Sequence, residues 1–99
     1  MRLVFRPETQ QELLAAQAWY EARSPGLGFE FARAVDAAVA LALRLPQAQP
    51  CIAGEFRHVI TRKFPYSIIY HASGLELVVV SCFHHSRRPR SWQAKASDE

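Results

Sequence analysis

The spacing of apolar residues changes once along the chain, and this change constrains the fold more than any other feature of the sequence. From Leu27 to Leu45 apolar side chains recur at helical spacing and line one face of a helix. After Gly54 the spacing falls to two residues and β-branched side chains become frequent, as in the strands of a sheet. Helical and strand segments that follow each other in this way indicate an α+β fold.

The segments before Gly54 predict one short strand and two helices. Residues 1–5 are rich in β-formers, and a helix over 8–23 follows that begins either at Pro7 or after Thr9, where the spacing of a capping box occurs. Proline and glycines at 24–28 separate it from a second helix over 27–45. The two helices are expected to form a hairpin, with a loop over 46–55.

Three strands are predicted over 56–64, 66–71 and 75–83, with a turn at Ser73 and Gly74. Ninety-nine residues suffice for one domain. The order β-α-α-β-β-β predicts a helical hairpin packed on a small, mostly antiparallel sheet. We expect this domain to span residues 1–92, followed by a C-terminal tail over 93–99.

The composition excludes several classes of protein. A hydrophobic fraction of 49% and a charged fraction of 21% are typical of a globular chain and not of a disordered, collagenous or coiled-coil one. Membrane-spanning stretches and the pattern of a signal peptide are absent from the sequence, so we expect a cytoplasmic protein with no membrane partner. No CxxC pair or phosphate-binding glycine motif occurs, and we predict neither a metal nor a cofactor.

Basic residues are concentrated in the second half of the chain. Residues 1–54 carry five basic and five acidic side chains, whereas residues 55–95 carry seven basic and two acidic ones. This distribution suits either a solvated basic face or a surface for an acidic partner or a phosphate backbone. The cations considered for contact with a partner or target are Arg57, Arg62, Lys63, Arg88 and Arg90.

Imidazole and guanidinium groups follow the last predicted strand and are expected to converge there. Metal-independent ribonuclease chemistry needs a base, an acid and cations for the phosphorane, and His84, His85 and Arg87 are the candidates for it. Histidines at a strand end also commonly anchor a loop by hydrogen bonds. No catalytic residue is therefore assigned from the pattern alone.

Two neighbouring aromatic residues lie on the first predicted helix. Trp19 and Tyr20 project about 100° apart, so both cannot point into the core equally. We expect Tyr20 to join the core, and Trp19 to cover an edge or contact a partner.

Four short motifs, in this order over residues 2–92, resemble the RelE/ParE superfamily of toxins from type II toxin–antitoxin modules. They are Trp19-Tyr20-Glu21, Ser24-Pro25-Gly26-Leu27-Gly28, Phe64-Pro65-Tyr66 with Tyr70, and His84-x-x-Arg87-x-Pro89-x-x-Trp92. The resemblance implies the fold predicted above and an antitoxin partner that folds on binding. It also marks Tyr20, Tyr66, Tyr70, Arg87 and Trp92 as structural motif residues.

The superfamily resemblance implies one of two activities. RelE-like members cleave messenger RNA on the ribosome, whereas ParE-like members, also called plasmid stabilisation proteins, poison DNA gyrase. RelE-like toxins carry an arginine where this chain has Ser67, and often a tyrosine near the C-terminus, yet no tyrosine follows Tyr70. The sequence therefore favours a ParE-like gyrase inhibitor that is not an enzyme. The alternatives are a ribosome-dependent endoribonuclease and a non-toxic relative that only binds its antitoxin.

The resemblance also gives expectations for the C-terminal cations. Arg87 matches the family motif and is expected to be partly buried, where it ties the tail to the body of the protein. Arg88 and Arg90 are expected to point to solvent and to contact the target.

Overall fold

The computed structural model describes residues 1–85, which form two helices and one five-stranded sheet. The elements are β1 (Arg2–Phe5), α1 (Pro7–Arg23), α2 (Leu27–Arg44), β2 (Cys51–Ala53), β3 (Phe56–Ile60), β4 (Tyr66–Ser73) and β5 (Glu76–His84). The strand order is β1-β5-β4-β3-β2. Only β1 pairs in parallel, with β5, and the remaining pairs are antiparallel. The predicted α+β fold, with a helical hairpin on a mostly antiparallel sheet, is confirmed.

A carboxylate from α1 holds the hairpin between the two helices. α1 begins at Pro7, the first of the two predicted starts, and ends at Arg23. Gly26 then adopts a φ of 90°, which glycine tolerates best. No side chain at this N-cap satisfies the first N–H groups of α2. Glu21 does so instead, accepting from the N–H of Gly26 at 3.0 Å and of Gly28 at 3.0 Å.

The core lies between the helices and one face of the sheet. Phe31, Tyr70, Leu77 and Val79 are almost completely buried there. An aromatic cluster closes one end of this core, with ring centroids 4.9–6.3 Å apart. Its members are Tyr20, Phe31, Phe64 and Tyr66. Such offset and edge-to-face contacts add about 0.5–1.5 kcal/mol each beyond burial.

The opposite face of the sheet carries a second apolar cluster, and we call it the open face because neither helix of residues 1–85 packs on it. Ile69, Val78 and Val80 form its centre, and Phe56 and Phe83 pack around them. The register between β4 and β5 shifts after Ile69, because Ile69 pairs with Ser81 and Tyr70 with Val79. Val80 is thus the extra residue of a β-bulge, which makes β5 bend locally.

Two sequence-based boundaries were wrong. The loop predicted over 46–55 contains β2, a short edge strand whose register with β3 shifts between Cys51 and Ala53. The strand predicted over 56–64 ends at Ile60, because the chain turns there and Lys63 adopts a φ of 70°. Phe64 consequently packs on the helix side, in the aromatic cluster.

Several predictions concern residues outside the described part of the chain. These are the domain boundary at residue 92, the tail over 93–99, and the roles of Arg87, Arg88, Arg90 and Trp92. No helix within residues 1–85 has the length and apolar character needed to cross a membrane.

Candidate functional site

Ser67 and His85 meet on the open face of the sheet. Ser67 is the second residue of β4 and is 4% exposed. Its Oγ lies 3.0 Å from Nε2 of His85, so the two side chains are hydrogen-bonded. The backbone N–H of His85 donates to the carbonyl of Pro65 at 2.8 Å, which fixes the residue just beyond β5. The serine that replaces the expected arginine is therefore engaged by an imidazole.

A second imidazole, His58, belongs to the same face. His58 pairs with Ile69 across β3 and β4, and residues directly opposite each other point to the same side of a sheet. Burial lowers the pKa of His58 below its ordinary value of 6.5, and the like charge of His85 lowers that pKa further. His58 is consequently neutral at pH 7 and able to accept a proton.

A buried hydroxyl lies on the same face. Ser81 is 1% exposed and lies opposite Ile69 on the open face, next to the bulge at Val80. Its Oγ has no hydrogen-bond partner within the described residues. We call His58, Ser67, Ser81 and His85 the open-face cluster. It offers two imidazoles and two hydroxyls, which are groups for proton transfer or anion contact.

Arg57 and Arg62, two of the cations considered for contact with a partner or target, are not directed at the open-face cluster. Arg57 donates to the carbonyl of Gln49 at 2.6 Å and to Oε1 of Gln47 at 3.0 Å. Its guanidinium therefore holds the loop before β2. Arg62 and Lys63 are exposed on the turn after β3, where they line a shallow groove against α2.

The expected convergence of the two adjacent histidines does not occur. His84 pairs with Tyr66 and contacts its ring edge-on, with centroids 5.2 Å apart on the helix side of the sheet. His85 instead turns to Ser67 on the open face. Successive side chains along a strand point to opposite faces of the sheet, so the imidazoles of these adjacent residues lie on different faces.

His84 borders a groove of about 780 Å³ between α1 and the ends of β4 and β5. Trp19, Tyr20, Tyr66 and Cys82 supply most of its apolar lining. Glu12 crosses its floor, and Oε1 of that residue accepts from the backbone N–H of Cys82 at 3.3 Å.

The side chains of Trp19 and Tyr20 lie in different environments, as their spacing on the helix predicts. Tyr20 is half-buried in the aromatic cluster, and burial raises the pKa of its hydroxyl above 10.0. Trp19 is 53% exposed and packs edge-on against Tyr20, with the guanidinium carbon of Arg23 4.1 Å from its ring centroid. Its outer face is free to contact a partner.

Tyr70, the other tyrosine of the motif, is completely buried. Its hydroxyl donates to the carbonyl of Pro46 at 2.9 Å and so fastens the end of α2 to the sheet. Burial raises the pKa of Tyr70 above its ordinary value. Within residues 1–85, no three His, Cys, Asp or Glu side chains come together in a way that could hold a metal ion.

Sequence reasoning missed His58 as a member of the cluster. The alternation in β3 places it on the face of Phe56, but nothing in the sequence gives the register that sets it near His85. That register depends on β4, because Ser67 must pair with Phe83 for its hydroxyl to reach His85.

The fold is shared with solved toxin structures, although no family model and no curated protein matches the sequence. The chromosomal ParDE toxin–antitoxin system from P. aeruginosa gives a TM-score of 0.61 at 18% identity, over 85% of this chain and 95% of that one. The isolated E. coli RelE toxin gives a TM-score of 0.58 at 12% identity, over 99% and 98%. These two likenesses confirm the predicted fold.

Proposed function

We propose that this chain is the toxin of a type II toxin–antitoxin module, that it acts in the cytoplasm, and that a cognate antitoxin neutralises it. Support comes from the fold, which both a ParDE system and a RelE toxin share over most of the chain. We further propose a ParE-like activity, in which the protein inhibits DNA gyrase by binding and not by cleaving a substrate.

The observation that carries the gyrase proposal is the environment of Ser67. A phosphorane needs a cation beside it, and such charge stabilisation contributes several kcal/mol to phosphoryl and acyl transfer. Ser67 occupies the arginine position of RelE-like toxins, and within residues 1–85 its side-chain partner is His85. Arg57 holds a loop and Arg62 lies beside α2. The described residues thus bring no guanidinium to this serine.

Controlled expression of the protein in bacteria tests both levels of the proposal. Induction should arrest growth and induce a DNA-damage reporter, and co-expression of the product of the neighbouring gene should restore growth. Arrest without the DNA-damage response would reject gyrase as target. Absence of arrest, with a stable complex between the two gene products, would identify the chain as a non-toxic relative that binds its antitoxin.

A second candidate function, a ribosome-dependent endoribonuclease, is favoured by one specific observation. His58 and His85 lie on the same face as Ser67, and His58 is a neutral base at pH 7. A base and an acid of this kind are the minimum that metal-independent RNA cleavage requires. Toeprinting on programmed ribosomes separates the two functions. If the protein cleaves message at specific codons, and His58→Gln and His85→Gln each abolish the cleavage, the chain is an endoribonuclease and the gyrase proposal is rejected.

A further inference from the structure

A groove of about 330 Å³ between α2 and the turn after β3 combines cations with exposed aromatic surface. Phe29, Ala34 and Phe64 form its apolar walls, and Phe29 is 62% exposed. Arg33, Arg62 and Lys63 stand around these walls, and among residues 1–85 Glu30 is the one acid that lines them. We call this the basic groove. It lies apart from the open-face cluster, because α2 packs on the other side of the sheet.

The turn that presents two of these cations is rigid. The hydroxyl of the buried Thr61 donates to the carbonyl of Phe64 at 2.8 Å, and the N–H of Thr61 donates to the carbonyl of Tyr66 at 3.0 Å. Phe64 anchors the turn in the aromatic cluster, 4.9 Å from Tyr20. Lys63 occupies the left-handed region at a φ of 70°, where a side chain other than glycine or asparagine is disfavoured. A lysine is thus kept where the backbone would favour glycine.

The three cations of the basic groove lack anionic partners in the described chain. The ion pairs within residues 1–85 join Arg2 to Glu76 and Arg6 to Glu8. Arg33 contacts only a ring, with its guanidinium carbon 5.8 Å from the centroid of Phe29. Three unpaired cations around one carboxylate give the groove a positive potential that an acidic ligand would neutralise.

We propose that the basic groove binds an acidic segment of the neutralising protein, with one apolar side chain seated between Phe29 and Phe64 and carboxylates facing Arg33, Arg62 and Lys63. The identity of the partner rests on the proposed function, whereas the chemistry of the segment rests on the groove. The apolar walls give affinity and the cations give orientation and a fast encounter.

A protein segment fits this groove better than a nucleic acid does. Nucleic acids are bound along tracks of cations that follow the phosphate backbone. Here Glu30 interrupts the cations, and a carboxylate next to a phosphate would repel it. A peptide can place its acidic side chains on both sides of Glu30 and leave an apolar residue opposite Phe29.

NMR titration of the whole ¹⁵N-labelled protein tests the inference. The probe is a short acetylated peptide of glutamate and leucine around one phenylalanine, with its glutamine counterpart and an oligothymidylate as comparisons. The glutamate peptide should shift the amides of Phe29, Arg33, Arg62 and Lys63, and more strongly at low salt. Shifts confined to other surfaces, equal binding of the glutamine peptide, or stronger binding of the oligothymidylate at the groove would overturn the inference.

Matched variants sharpen this test. Arg62→Gln and Lys63→Asn should each lower the affinity for the glutamate peptide by about two- to fivefold at low salt, as expected for exposed charge pairs. Asparagine tolerates the left-handed backbone, so Lys63→Asn removes the charge without disturbing the turn. Arg44→Gln, at the far end of α2, should leave the affinity unchanged. Equal affinity in all four proteins would contradict the inference. The growth assay uses none of these peptides. Absence of peptide binding at the basic groove can therefore be distinguished from absence of the proposed toxin activity.

Discussion

The geometry of the open-face cluster bears on the choice between gyrase inhibition and ribonuclease activity. The bulge at Val80 and the pairing of Ser67 with Phe83 place one hydroxyl within reach of His85, while His58 reaches the same face from β3. Imidazoles are chemically capable of proton transfer, but the described residues bring no guanidinium to this cluster. The sequence placed His85 after the last strand, but it could not predict which side chains His85 meets, because strand register decides that.

The pH dependence of stability should report the environment of His58. Because its folded pKa lies below the unfolded value of 6.5, the unfolded chain binds this proton first as the pH falls. The free energy of unfolding should therefore be unaffected by His58 above about pH 7. It should decrease as the pH falls through 6.5 and level off below the folded pKa. Urea denaturation of the wild type and of His58→Gln, compared at several pH values, measures this contribution.

NMR titration of the imidazole itself provides the control. The pKa of His58 should lie below 6.5 and should rise in His85→Gln, since that change removes the like charge but not the burial. A His58 pKa at or above 6.5 in the wild type would contradict the assignment of this residue to a desolvated site.

Arg57 should matter for folding more than for binding. Its guanidinium is bonded to Gln49 and Gln47, and Arg57→Ala leaves a half-buried carbonyl without its donor. We expect this change to lower the free energy of unfolding by about 1–3 kcal/mol. Arg62→Gln, on the exposed turn, should change it by less than about 0.5 kcal/mol. Thermal or urea unfolding of both variants checks the difference, and equal losses would show that the Arg57 bonds contribute nothing.

Helices and strands differ in how well the sequence predicts them. The apolar stripe of α2 matches its observed bounds, Leu27–Arg44, because a long amphipathic helix carries its own pattern. The three residues of β2 carry no alternation, and this strand exists only because β3 offers an edge. The end of β3 was misplaced because alternation continues past Ile60, whereas the backbone turns at Lys63.

Close packing of the helical hairpin depends on the absence of a side chain at residue 28. A methyl group there would lie 2.7 Å from the carbonyl oxygen of Gln17 and 3.0 Å from Glu21. Gly28→Ala should push the helices apart or disturb the bonds of Glu21 to the start of α2. We expect a loss of about 1–3 kcal/mol in the free energy of unfolding.

Ser24→Ala is the matched control for this glycine. Ser24 is exposed in the same turn, and its contacts to Tyr20 and Leu27 use backbone atoms only. Its replacement should alter stability by less than about 0.5 kcal/mol. If Gly28→Ala proved as mild as Ser24→Ala in urea unfolding, the hairpin would tolerate a wider separation than the structure indicates.

The molecule as a whole presents different chemistry on its two sides. The open face of the sheet carries the open-face cluster, whereas the helix side carries His84, the exposed Trp19 and the basic groove. The proposed toxin activity requires contact with both a target and an antitoxin, and two separate surfaces would allow each contact to be changed by substitution without the other. The fold could be predicted from the sequence because it depends on periodicity, but the division of surfaces could not, since it depends on register and on the turn at Lys63.

Gyrase inhibition by the purified protein is the decisive test of the proposed target. The protein should block supercoiling of relaxed plasmid by DNA gyrase and increase cleaved complexes, and His58→Gln and His85→Gln should inhibit as strongly as the wild type, because no proton transfer is involved. Addition of the cognate antitoxin should restore supercoiling. Unimpaired gyrase at saturating protein, together with message cleavage on ribosomes that requires His58 and His85, would contradict the account.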